Sequence, residues 1–296
     1  MFLKSKKQLY LLLVILISQI SFSTAQRIKA GFGVSAASYT GDLSSWTPRL
    51  SETKMAFAFN LSYDITNQFR IRFDFTNGTI SGSDKKSPRQ DLRERNLSFK
   101  SKITEFALLA EYEFYLSEEP RFVPYVFAGP GIFMFDPTTV DRFGKTVYLR
   151  NIGTEGQFLQ SNPPGKGQLY DLTQMNMQYG IGVKTQLNDN MWLGMEMSFR
   201  QLFTDYLDDV HANRYIDPAF FLAEGQTQAM ELSFRGRELT PQAPQFLELP
   251  RGLNNRDAFQ TLQLKLIVGL KSNAYYNFSG PGKGSLNQMR CKKMIL

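Results

Sequence analysis

Residues Met55 to Phe75 read MAFAFNLSYDITNQFRIRFDF. The odd positions carry Met55, Phe57, Phe59, Leu61, Tyr63 and Ile65, then Phe69, Ile71, Phe73 and Phe75. Small or polar residues lie between them, ending in Arg70, Arg72 and Asp74. Strict alternation marks a strand, because successive side chains point to opposite faces of the pleat. Only Thr66 to Gln68 breaks the pattern, so the stretch reads as a hairpin with one apolar and one polar face. A soluble sheet would set the apolar face on a core and the polar face in water. A membrane barrel would set the apolar face in lipid and the polar face in its lumen.

The ends of the chain narrow the choice. Lys4, Lys6 and Lys7 precede an apolar run from Leu9 to Ile17, and Ser23 and Ala25 follow at signal-peptidase spacing. Residues 1–25 therefore read as a secretory signal peptide, with Gln26 opening the mature chain. The run is shorter than the roughly 20 apolar residues a spanning helix needs. The net charge of +7 is concentrated at the termini, in the three leader lysines and in Lys271, Lys283, Arg290, Lys292 and Lys293. That leaves residues 26–270 near neutrality and argues against a nucleic-acid partner, which would spread basic charge over a face. Residues 273–296 form a basic C-terminal tail, read as a solvated end or as a docking strand for an acidic partner. His211 and Cys291 are the only histidine and cysteine, which excludes an internal disulfide and argues against a zinc site or a Cys–His nucleophile.

The same alternation recurs at 27–40, 103–116, 125–135, 174–187, 191–203 and 261–271, giving eight strands with the opening hairpin. Pro130 predicts a bulge or kink in the fifth. Short connections (66–68, 117–124, 188–190) alternate with long polar ones (41–53, 82–102, 136–173, 204–260). That segregation predicts an all-β fold over residues 26–272. It is an eight-stranded antiparallel up-and-down transmembrane β-barrel with short periplasmic turns and long extracellular loops. The segment AMELSFRG (229–236) also alternates and leaves ten strands open. Runs of about 10–13 residues suit tilted membrane strands. Tyr63 and Phe69 at one rim, and Phe75, Phe135, Phe199 and Phe203 at the other, read as interfacial girdles. The apolar row then faces lipid. Arg70, Arg72 and Asp74 face the lumen, with Glu111, Glu113, Lys184, Glu196 and Arg200 as counter-charges. An eight-stranded barrel is just filled by side chains, so the expected interior is a salt-bridged plug.

The long loops hold the candidate binding residues Asp42, Glu155, Asp205, Asp208, Asp209 and Asp217. Asp205, Asp208, Asp209 and Asp217 could hold calcium in an oxygen cage, but they lack EF-hand spacing. The structural reading has them accept loop amides and pair with Arg150, Arg214 or Arg251. An enzyme reading rests on His211 with Asp209 and Ser233, a weak signal in a loop. GPGKGS (280–285) lacks the spacing of a phosphate loop. No catalytic residue, metal or cofactor is assigned.

The segments GVSAASYTGDL, GTEGQ, TDYLDDV followed by YIDP, and RGLNNRDAF, in that order, resemble a family of outer-membrane β-barrel proteins that includes PorG of the type IX secretion system. The resemblance spans about Ile28 to Lys271. It implies residence in the outer membrane of a bacterium, no catalysis, and a tie to periplasmic ring proteins of a secretion or gliding machine. Two other readings remain beside it. One is a surface barrel whose loops bind an external ligand or adhere; the other is a lipid-modifying barrel enzyme.

Overall fold

The period-two rows become strands in the computed structural model, which describes residues 28–44, 52–116, 121–239, 250–252 and 256–270. The predicted leader and basic tail lie outside the described residues. The strands are β1 (Ile28–Thr40), β2 (Lys54–Asp64), β3 (Phe69–Ser83), β4 (Ser98–Glu113), β5 (Val123–Val140), β6 (Thr146–Tyr148), β7 (Thr173–Asn188), β8 (Met191–Leu202) and β9 (Ala258–Gly269). All pairings are antiparallel. The order β1-β2-β3-β4-β5-β7-β8-β9 closes where β1 pairs with β9 from Lys29↔Gly269 to Thr40↔Ala258. Closure leaves the eight-stranded cylinder without a free edge. β6 stands outside the ring, paired with β5 over Thr138–Val140.

One rim carries the short connections 65–68, 114–122 and 189–190. In the first, the Thr66 hydroxyl accepts the N–H groups of Gln68 (3.2 Å) and Phe69 (2.9 Å). The side-chain directions match the membrane reading. Phe57, Leu108 and Met195 are 49%, 55% and 52% exposed, whereas Arg72 and Glu196 are 1% exposed. Large apolar side chains in open view around a whole cylinder, over buried ions, are stable only if hydrocarbon replaces water outside.

Four expectations need correction. Pro130 makes no bulge. The β4–β5 register is the same on either side of it, and only the pairs opposite Gly129 and Pro130 are missing, because proline has no N–H to give. A Cβ on Gly129 would lie 2.0 Å from the Leu108 carbonyl oxygen, so only glycine lets β4 pass there. The register shift lies instead at Gln186/Asn188. Second, Phe135 belongs to no girdle. It is buried, in line with Tyr125, Phe127 and Phe133 on the inner row of β5. Third, residues 229–236 form no hairpin. Thr227–Ser233 is a helix whose buried Ala229, Leu232 and Ser233 repeat at i, i+3 and i+4. Fourth, β3, β4 and β5 run beyond the apolar band to Ser83, Ser98 and Val140, so part of the expected long loops is sheet.

Four helices cap the outer end: α1 (Gln90–Arg95), α2 (Leu149–Ile152), α3 (Pro218–Ala223) and α4 (Thr227–Ser233). Beneath them an apolar layer fills the upper lumen, including Tyr39, Phe99, Ile103, Phe133, Leu207 and Phe259.

A cation placed on the outer wall tests this orientation. Leu108→Arg is expected to lower the free energy of folding into lipid vesicles by about 2–4 kcal/mol, as for other mid-membrane arginines on barrels. Ile65→Arg, at the short-turn rim, should cost no more than about 1 kcal/mol. Urea titration in vesicles measures both.

Candidate functional site

Two polar networks occupy the interior, one within the barrel and one above the apolar layer. The lower network begins with inward parity. Arg70 and Arg72 on β3 have Glu111 and Glu113 beside them on β4, because Arg70 pairs with Glu111 in the register. Arg70 bridges Asp64 (2.8 Å), Glu111 (3.2 Å) and Glu113. Arg72 bridges Asp74 (2.8 Å), Glu111 (2.7 Å) and, across the lumen, Glu196 (2.9 Å). Lys184 joins Glu113, and Lys265 joins Glu196. Lys29 holds Asp64 at 2.7 Å. Higher up, Arg200 holds Glu105 at 3.1 Å and donates to the Thr261 hydroxyl at 2.7 Å. The Tyr125 hydroxyl donates to Glu196 at 3.0 Å.

All eight residues assigned to the lumen from sequence face inward and join this network. Sequence reasoning missed Lys29, Asp64, Glu105 and Lys265, although each lies on the inward parity of its strand. With them, among the described residues, the lumen pairs six cations with six carboxylates: Lys29, Arg70, Arg72, Lys184, Arg200 and Lys265 against Asp64, Asp74, Glu105, Glu111, Glu113 and Glu196. Desolvating an ion is costly unless an opposite charge and hydrogen bonds replace water. A balanced, multiply bonded set meets that condition.

The upper network draws the loop motifs together. Arg95 of α1 holds Asp84 through two bonds (2.7 and 2.8 Å) and donates to the carbonyls of Asp42 (2.9 Å) and Arg251. Arg251 donates to Glu155 (3.1 Å), the Thr154 hydroxyl (2.7 Å) and the carbonyls of Ser233 (2.7 Å) and Asp209 (3.1 Å). Glu155 also accepts the N–H groups of His211 and Ala212, each at 2.9 Å. Asp209, in the left-handed conformation (φ 66°), accepts from the Tyr170 and Thr154 hydroxyls. Five loop segments are thereby tied into one buried crown.

The Tyr39 hydroxyl lies 2.6 Å from Asp208 and 2.7 Å from Asp257. A phenol has one proton, so it donates to one carboxylate only; the other contact needs a proton on the second carboxyl. The outer oxygens of the pair accept the N–H groups of Val210 (2.9 Å) and Leu207 (2.8 Å), which leaves the other oxygen of each to face Tyr39. Burial raises Asp208 and Asp257 well above the ordinary carboxylate range, and the nearby charge of Asp42 adds to this. Burial also pushes Asp209 up to about 7, against the pull of Arg251.

Of the six candidate loop acids, Asp42, Glu155, Asp208 and Asp209 sit buried in the crown. Asp205 lies at its edge, accepting from the Asp257 N–H (3.2 Å) and meeting His211 Nδ1 (3.1 Å). Asp217 is apart: exposed, it caps α3 by accepting from the Ala219 N–H. His211, Asp209 and Ser233 do not assemble. The histidine pairs with Asp205, and Ser233 is buried under the Arg251 guanidinium. Of the proposed arginine partners, Arg251 pairs with Glu155, Arg150 donates to the Tyr170 carbonyl, and Arg214 has no acidic partner among the described residues. Sequence reasoning named Arg251 but missed Asp257, although it stands in the same quoted RGLNNRDAF. It also missed Asp84 and Arg95, which no motif marked. Among the described residues no three His, Cys, Asp or Glu side chains are grouped to hold a metal ion.

Two outcomes follow for the crown. Removing the Arg251 charge leaves Glu155 buried and unpaired, so Arg251→Met should cost about 3–5 kcal/mol locally. It should expose the outer loops to limited proteolysis while the barrel stays folded. The raised acids bind protons more tightly folded than unfolded, so the crown is most stable at low pH and loses stability as pH rises through about 7 for Asp209. Loop cleavage, normalised to a control substrate, should be slower at pH 5.5 than at pH 8.5, and Asp209→Asn should flatten the difference.

The family described as outer membrane protein beta-barrel domain matches residues 9–216. No curated protein matches the chain. Among solved structures, Neisserial surface protein A is similar at 11% identity and a TM-score of 0.42, covering 82% of this chain and 97% of its own. Ail, the attachment invasion locus protein of Yersinia pestis, gives 10% identity and a TM-score of 0.39 over 82% and 97% of the two chains. The outer membrane enzyme PagL gives 13% and 0.32 over 81% and 99%. With the lipid-facing wall, the closed ring of eight strands and the family match in hand, the chain belongs to the outer-membrane protein β-barrel domain family and resides in the bacterial outer membrane.

Proposed function

We propose that this barrel is a non-enzymatic, non-conducting component that anchors a protein assembly in the outer membrane, of the type IX secretion or gliding kind to which PorG belongs. The filled interior carries this reading. Arg72, Glu111 and Glu196 lock together across the lumen, and the crown seals the outer end. A channel needs a continuous polar path, and a hydrolase needs a nucleophile beside a base in an open cleft. The polar side chains here are spent on one another. What the fold offers instead is a rigid frame, with short turns on the periplasmic side for ring proteins to grip. The sequence resemblance to the PorG-containing family supplies the kind of machine.

Affinity purification of the tagged full-length protein from detergent-extracted envelopes tests the reading. Periplasmic ring proteins and a ring lipoprotein are expected to co-purify, and a chain ending at Ser272 should capture less of them. Planar bilayers should show no steady conductance, and His211→Ala should leave envelope lipids unchanged. Normal secretion and gliding after deletion of the gene, with no ring protein captured, would overturn it.

A further inference from the structure

A concavity opens on the outer end beside the crown, about 480 Å³ in volume, where the 165–168 loop meets the 211–214 loop. Nine residues line it. Lys166, His211 and Arg214 are among them, and no acid is. That one-sided charge separates it from the rest of the outer end, where carboxylates and cations are paired within the crown.

Two of the basic side chains are held in place from behind. Lys166 donates to the carbonyls of Leu159 (2.6 Å) and Ser161 (3.0 Å), neutral partners that leave its charge standing. Glu224, the acid whose field reaches Lys166, is already bonded to the Gln160 and Ser161 N–H groups and the Ser161 hydroxyl. His211 is fixed on three sides: its backbone N–H on Glu155, its Nδ1 on Asp205, and its ring 4.9 Å from that of Tyr206. Its Nε2 is left for a ligand. The Tyr206 ring stacks 4.5 Å from Tyr170, and its hydroxyl accepts the Gln168 N–H, which leaves the phenolic proton to donate. Arg214 brings a guanidinium with no acidic partner among the described residues.

We propose that this concavity binds a phosphomonoester carried on a larger group. Arg214 and Lys166 supply charge, the Tyr206 hydroxyl a directed donor, and His211 Nε2 a nitrogen that can accept the P–OH of a monoprotonated phosphate while Nδ1–H faces Asp205. A guanidinium matches a phosphate by two parallel bonds, and anions gather where concave walls carry one sign of charge. Phosphate alone would leave most of the volume empty, so the bound anion is the end of a sugar phosphate or of a lipid headgroup. Position favours neither source. The exposed Phe203 ends the outward row of β8 nearby, which sets the opening near headgroup level and equally in reach of solutes. The site stands independently of the assembly role, because no residue in it belongs to the periplasmic rim.

Calorimetry on the purified full-length protein in nanodiscs tests it in two arms. In the first, glucose 1-phosphate is titrated into discs of phosphatidylcholine. In the second, discs containing phosphatidic acid are compared with discs lacking it, with exchange of a labelled phosphatidic acid as the readout. Arg214→Gln and His211→Gln carry the test: Arg214 has no acidic partner among the described residues and His211 meets the crown only at its edge, through Asp205; an unchanged melting temperature shows that the crown stays intact. Losing the charged donor Arg214 should weaken binding roughly tenfold, about 1.4 kcal/mol, and losing His211 should weaken it as well. Variant-sensitive binding in the first arm identifies a soluble ligand, and in the second arm alone a lipid one; either supports the site. No binding in both arms, or binding that both variants keep, overturns it.

Discussion

Charge neutralisation inside a closed cylinder is the constraint on which this protein depends. Eight strands enclose too little space for bulk water, so every ion turned inward must find an opposite ion at contact distance. Arg72 is the central case, meeting Asp74 on its own strand, Glu111 on the neighbouring strand and Glu196 on the far wall. Such a contact fixes the register of β3 and β4 and sets the distance to β8 at once. A one-residue slip of any strand would turn its ions into hydrocarbon and its phenylalanines into the lumen.

Above the ions the interior changes character. Aromatic rings on β1, β4, β5 and β9 form a dry layer, and the loops fold down on it. Because these loops are long and polar, their buried backbone groups need partners. Arg95, Arg251 and Glu155 supply them, accepting from or donating to the backbone of Asp42, Asp209, His211, Ala212 and Ser233. The acidic motifs of the loops thus serve order first. Their proton affinity, raised by burial, makes that order sensitive to pH. The three elements are stacked along the barrel axis: an ionic plug, an aromatic layer and a hydrogen-bonded crown.

Much of this was legible in the linear sequence. Alternation alone gave the strands, the alternating loop lengths gave the topology, and parity gave the eight lumen charges, since a strand offers only two directions. Pro130, Phe135 and residues 229–236 were misread for a common reason. Each is decided by what lies across from it: the carbonyl of Leu108, the ring of Tyr170, the apolar floor beneath α4. Local pattern carries no record of such neighbours.

The sequence by itself determined that the chain is a membrane-spanning cylinder, oily outside and ionic within. Period two and hydrophobicity are local properties, and lipid is a uniform partner that any apolar side chain recognises. Only the tertiary structure decided which acid meets which base, that Asp208 and Asp257 meet at the Tyr39 hydroxyl, and that Asp217 stays outside the crown. Those outcomes depend on residues as far as 218 positions apart brought within hydrogen-bond reach, and the closed ring and the descent of the loops set those distances.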